Sequence, residues 1–64
     1  MMKTYKLKDG EVTIRENGHN TIIGESGHRL WYAAGELARQ YFPEDTINSK
    51  QAFLIEMLEH VSNQ

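Results

Sequence analysis

The chain has 64 residues, no Cys and a formal net charge of −2. That length holds one domain with a marginal core, since a chain so short buries only about 60% of the surface it exposes when unfolded. The missing Cys excludes disulfides and thiolate metal sites, and no apolar run approaches the roughly 18 residues of a membrane span.

No secretory leader stands at the N-terminus, so the expected setting is a soluble, cytoplasmic one without membrane contact. Charge is unevenly spread. Residues 1–8 carry three Lys and no acid, residues 9–27 carry four acids against Arg15, and residues 43–64 carry four acids against Lys50. A nucleic-acid binder of this size usually shows a basic stripe and a high pI. Here the pI is near 5.8, which counts against that class.

Residues 4–8 alternate, with Tyr5 and Leu7 against Thr4, Lys6 and Lys8. Asp9-Gly10 follows, a strong hairpin signal because both residues tolerate positive φ in a type I′ turn. Residues 11–16 alternate again with Val12 and Ile14 on one side. Pairing across Asp9-Gly10 sets Lys8 opposite Glu11, Leu7 opposite Val12 and Tyr5 opposite Ile14. Asn17-Gly18 signals a second turn, and residues 20–25 return as a third strand. A two- or four-residue loop there puts Ile23 on the inner face with Val12 and Ile14, and Ile22 on the outer one. Residues 12–20 and 21–29 also echo each other, aligning Gly18 with Gly27 and His19 with His28. Two copies of so short a unit make no solenoid.

The stretch 28–42 reads as the central helix. At 100° per residue, Leu30, Trp31, Ala33, Ala34, Leu37, Ala38, Tyr41 and Phe42 share one half of it, a stripe wide enough to cover a core. The only Trp, Trp31, belongs to that half and is expected between the sheet and a second helix. Ser26 offers an N-cap, and Pro43 stops the helix at Phe42. Residues 43–47 form a linker. Asn48 with Gln51 then has capping-box spacing, with Ile47 and Ala52 as a hydrophobic staple. Phe53, Leu54, Met57, Leu58 and Val61 share one arc of the second helix, and Ile55 lies outside it. Ser62, Asn63 and Gln64 are expected to fray. The fold class is therefore α+β, a three-stranded antiparallel meander followed by two helices on one sheet face, β-β-β-α-α.

Three His are the only residues that suggest metal or acid–base chemistry. His19 and His28 follow Gly in turns, and His60 sits on a distant helix without HxH, HxxxH or HExxH spacing. A catalytic zinc wants about three protein ligands, so no metal or other cofactor is expected. Ser26 beside His28 is adjacency, which is no triad. No Gly-x-Ser-x-Gly elbow, P-loop or GxGxxG fingerprint is present. The expected protein is not an enzyme.

What remains is surface. Tyr32 projects from the polar half of the central helix among Arg29, Glu36 and Arg39, and interface hot spots are enriched in Tyr and Arg. Ile22 on the wet sheet face and Ile55 off the main arc complete a candidate partner-binding set. Gly35, mid-helix, marks either an indifferent exposed site or a close backbone approach by a partner. The first reading is a small interaction protein that docks on a protein partner as an inhibitor or regulator, and its acids suit a nucleic-acid enzyme as target. In size and format the chain resembles small accessory proteins of phages and other mobile elements, a likeness that no motif carries. The alternative is a small DNA- or RNA-binding regulator using Arg29, Tyr32, Arg39 and Gln40, with Lys3, Lys6 and Lys8 on phosphates. A core this short also favours a homodimer with its seam at Ile55.

Overall fold

The computed structural model describes residues 2–62. Three strands come first, β1 (Lys3–Leu7), β2 (Gly10–Ile14) and β3 (Asn20–Ile23), then two helices, α1 (Glu25–Tyr41) and α2 (Thr46–Val61). The sheet is antiparallel in the order β1-β2-β3. Both helices lie on one of its faces and pack on each other. The α+β meander with two covering helices is thus the fold that the alternation and turn residues specify. Asn63 and Gln64, expected to fray, lie outside the described residues, while Ser62 closes α2 through its N–H to Leu58 O at 3.0 Å.

The first hairpin turns one position earlier than the Asp9-Gly10 signal implies. Leu7 pairs with Gly10, Lys6 with Glu11, Tyr5 with Val12 and Lys3 with Ile14. The loop is Lys8-Asp9, and neither residue has positive φ, so this is not a type I′ turn at Asp9-Gly10. The slip relative to the expected register is two residues, which leaves every side chain on its expected face. Lys6 takes the ion pair expected of Lys8, its Nζ 2.7 Å from Glu11 Oε1.

The second hairpin does change faces. Arg15 and His19 close a three-residue loop, with Arg15 N donating to His19 O and Gly18 N donating to Arg15 O. Gly18 has φ 86°. A turn followed by a positive-φ Gly is the other standard use of an Asn-Gly pair, and it makes the loop odd. Parity flips. Val12 faces Ile22, Glu11 faces Ile23, and Ile22 packs on the core while Ile23 is 54% exposed. Both residues are thereby the reverse of what a two- or four-residue loop predicts. The outer face becomes Thr4, Lys6, Glu11, Thr13, Thr21 and Ile23, with a Thr4–Thr13 hydroxyl contact at 2.9 Å.

Helix α1 starts three residues before the expected His28. Gly24 at its N-cap has no side chain to offer, and the cap comes from another element. Asp9, in the first hairpin loop, accepts the Ser26 N–H at 2.8 Å. Ser26 is therefore a capped residue of the first turn, not the cap. Hydrogen bonds from Ser26, hydroxyl and then N–H, hold the Asp9 carboxyl below its usual value of 3.8, with Arg29 nearby adding to the effect. A depressed folded pKa contributes stability above the unfolded pKa and loses it as the carboxylate protonates. Asp9→Ala should accordingly lower the melting temperature at neutral pH. The gap to the parent should narrow as pH falls below 3.8 and close only once Asp9 is protonated in the folded state as well. A gap that persists at low pH would assign the loss to something other than this cap.

The buried side of α1 is turned slightly from the expected one. Gly27, Ala34, Gly35 and Ala38 are buried, whereas Ala33, Tyr41 and Phe42 are exposed. Counting apolar side chains overlooks Gly, yet small residues let a neighbouring element come close. A Cβ at Gly27 would lie 2.8 Å from both Ile22 Cγ2 and Val12 Cγ2, and one at Gly35 would lie 3.2 Å from Lys50 Cε. The close neighbour of Gly35 is therefore Lys50 of the same chain, not a partner's backbone. Lys50 Nζ sits 3.7 Å over the Trp31 ring. Trp31 is half-buried at the core's edge, less enclosed than expected, with α2 covering it through this cation.

Val12, Leu54 and Leu58 are the largest fully buried side chains, joined by Tyr5 and Ala34. Polar ties close the edges. Tyr5 donates to Glu59 Oε2 at 2.7 Å, and Lys3 Nζ reaches the same oxygen at 3.1 Å, fastening β1 to α2. Burial and then Glu59 push the Tyr5 phenol up, and Glu59 raises Lys3. Asn20 and Gln51 exchange two amide hydrogen bonds of 2.8 and 2.9 Å between β3 and α2. Gln51 is thus taken by the sheet and makes no capping box. Asp45 stands at the N-cap of α2, and Ile47, expected to form a staple, is 84% exposed.

Candidate functional site

Helix α1 presents its outer side to solvent, and four of the expected partner-binding residues meet there. Tyr32 is 74% exposed, with Arg29, Glu36 and Arg39 exposed beside it. The charges are arranged in pairs along the helix. Arg29 Nη2 lies 3.2 Å from Glu25 Oε2, and Arg39 Nη2 lies 3.0 Å from Glu36 Oε2. Such exposed pairs add little stability. Their effect is on the field, because each guanidinium is matched by a carboxylate within reach, and Tyr32 sits in a neutral polar frame.

Ile22 does not belong to this surface, since it points inward against Val12 and Gly27. Ile55 is half-buried on α2, lining a shallow groove with Ala52, Glu56, Glu59 and His60. The structure brings together Tyr32, Arg29, Glu36 and Arg39, and leaves Ile22 and Ile55 elsewhere.

A second surface was not visible in the chain's periodicity. Helix α1 runs 17 residues, about 25 Å, while the strands beneath it have at most five, about 17 Å. The last turn of α1 therefore overhangs the core. Tyr41 and Phe42, apolar and on the inner side by helical phase, end 60% and 53% exposed. The Phe42 ring leans on Phe53 of α2, centroids 6.1 Å apart. Around them lies a groove of about 360 Å³ lined by Phe42, Asp45, Asn48, Ser49, Ala52, Phe53 and Glu56. Tyr41, Pro43 and Glu44 line a hollow that continues from it past Phe42. The comparison of helix length with strand length is the signal that could have found this corner.

The basic side chains are mostly engaged. Lys3 pairs with Glu59, Lys6 with Glu11, Arg29 with Glu25 and Arg39 with Glu36. Lys50 lies on Trp31, and Arg15 donates to Thr21 Oγ1 and Met2 Sδ. By contrast Glu44, Asp45 and Glu56 at the corner form no ion pair among the described residues. Three of the chain's nine acids gather at this corner.

Another groove, about 530 Å³, runs between the second hairpin loop and the start of α2 over Ile22 and Trp31. Its amides Asn20 and Gln51 are bonded to each other and not turned to a ligand. Among the described residues no three His, Asp or Glu converge as a metal site would require. His28 Nδ1 is 3.0 Å from Gly24 O in the first turn of α1. No helix among the described residues is long and apolar enough to cross a membrane. Compared with models of protein families, with curated proteins and with solved structures, the chain finds no match.

Proposed function

We propose that this chain is a small interaction protein that docks on a protein partner as an inhibitor or regulator and does no chemistry of its own. One observation carries the reading. The core closes without Tyr32, Tyr41 and Phe42, and these large side chains remain on the surface of a very small domain. Single exposed aromatics need no explanation. Three of them on one helix and its cap, beside charged residues, have the composition of hot spots and not of average surface. An accessory protein of the phage or mobile-element kind, acting on a host nucleic-acid enzyme, fits this format and the acidic charge.

The nucleic-acid reading is supported by the placement of Arg29, Tyr32, Arg39 and Gln40 on the open side of α1. Against it stand the carboxylates beside both guanidiniums and the pairing of Lys3 and Lys6. Phosphate contacts make affinity fall steeply with salt, so the two readings separate in a salt titration with mixed-sequence duplex. Saturable binding with a steep salt slope, and no protein captured, would overturn the proposal.

The direct test is Tyr32→Ala. Its melting temperature should equal that of the parent, because Tyr32 contributes nothing to the core. Binding to a partner isolated by affinity capture should weaken by at least about 2 kcal/mol. A variant that folds and binds at full strength moves the contact surface off this side of α1.

A further inference from the structure

We infer that the overhanging corner between α1 and α2 is the docking groove for a basic, apolar-anchored segment of the partner protein. The inference rests on the reading of the chain as a protein-docking module and names its surface and the chemistry it takes. Phe42 and Phe53 give the groove an aromatic floor, their ring centroids 6.1 Å apart and the rings tilted 46° to each other. Phe42 is more than half exposed, so the floor is available without rearranging the core. Asp45 and Glu56 line it and Glu44 lines the adjoining hollow, none held by a cation among the described residues. An aliphatic or aromatic side chain fits the floor, and Lys or Arg on either side of it meets the carboxylates.

Charge decides among possible occupants. A phosphate backbone or an anionic lipid surface would be repelled by three carboxylates. A second copy of the chain has little to offer, because Lys3, Lys6, Arg29 and Arg39 are already paired and Lys50 is held on Trp31, leaving Lys8 and Arg15. A symmetric contact would also set Glu56 near its own copy. A segment carrying closely spaced Lys or Arg is complementary in sign and brings its own anchor. Proteins use such segments on nucleic-acid backbones. Occupying one would compete with phosphate for the same cations.

The probe is a synthetic amphipathic peptide of Leu and Lys, added to isotope-labelled full chain and followed by amide chemical shifts. Saturable shifts are expected at Phe42, Ala52, Phe53 and Glu56, with affinity that falls as salt rises. Phe42→Ala and Glu56→Lys, both at exposed positions, should keep the parent's spectrum elsewhere and weaken the peptide about tenfold each. The same peptide with Glu in place of Lys should not bind. If a Lys-only peptide binds as well and Phe42→Ala changes nothing, the corner is merely acidic and the inference falls. It falls too if no peptide gives a saturable shift at the corner, or if sedimentation shows the corner covered by a second copy. Full-strength binding of the captured partner by Phe42→Ala and Glu56→Lys, with Tyr32→Ala weakened, would overturn this groove and leave the docking function standing.

Discussion

Gly10→Val is expected to destabilise the domain by at least about 3 kcal/mol, which for a chain this small means a largely unfolded population. Gly10 has φ 116° and stands where β2 passes the start of α1. A Cβ there would lie 1.9 Å from Ile23 O and 2.9 Å from Gly24 Cα. At Gly24, φ 92°, the reciprocal Cβ would lie 1.9 Å from Asp9 O. Two backbones therefore cross with only hydrogens between them, each Gly directing a Cα–H at the other's carbonyl side, a weak but recurrent contact. Gly18→Val is the control. Its φ is 86°, yet nothing lies within 4 Å of the added Cβ, so it should lose only the conformational cost of roughly 1–2 kcal/mol. Denaturant titration of the three proteins separates strain from collision. Equal losses at positions 10 and 18 would mean that the crossing has room to relax.

This crossing explains why the first turn was misplaced by sequence rules and the fold was not. Asp9-Gly10 carries the composition of a type I′ turn, but each residue has a tertiary employment that local rules do not weigh. Gly10 is required by the approach of Gly24, and Asp9 by the uncapped N–H of Ser26. The alternation of Tyr5, Leu7, Val12 and Ile14 survived the change because a slip of two preserves faces. Helix α1 was legible through its aliphatic stripe, and its precise phase was not, because Gly27 and Gly35 contribute by what they lack. The outer side of α1 was legible for the same reason as the stripe, being its complement. The acidic corner was not, because it depends on how far one helix outruns a sheet, a relation between elements and not a pattern within one.

The Ile22 and Ile23 pair puts the largest disagreement between pattern and structure to the test. Both are β-branched, adjacent and equally apolar, so composition gives no preference; only the loop count assigns them to faces. With a three-residue loop closed by Arg15 and His19, Ile22 lies across from Val12 with its Cγ2 against Gly27. Ile22→Asn should cost about 3 kcal/mol, from lost aliphatic packing against Val12 and Gly27 and a polar amide put on the core side of the sheet. Ile23→Asn, on the outer face opposite Glu11 and 54% exposed, should cost under about 1 kcal/mol, the ordinary strand penalty for Asn. Thermal melts of the two variants read the difference directly. The reverse order would restore an even loop at Asn17-Gly18, move Ile22 back to the solvent face and return it to the candidate contact surface. With the expected order, the sheet leaves a single aliphatic residue, Ile23, on a face otherwise made of Thr and paired charge. That face then has no apolar anchor comparable to the aromatic corner, so the proposed docking surface would lie on the helices.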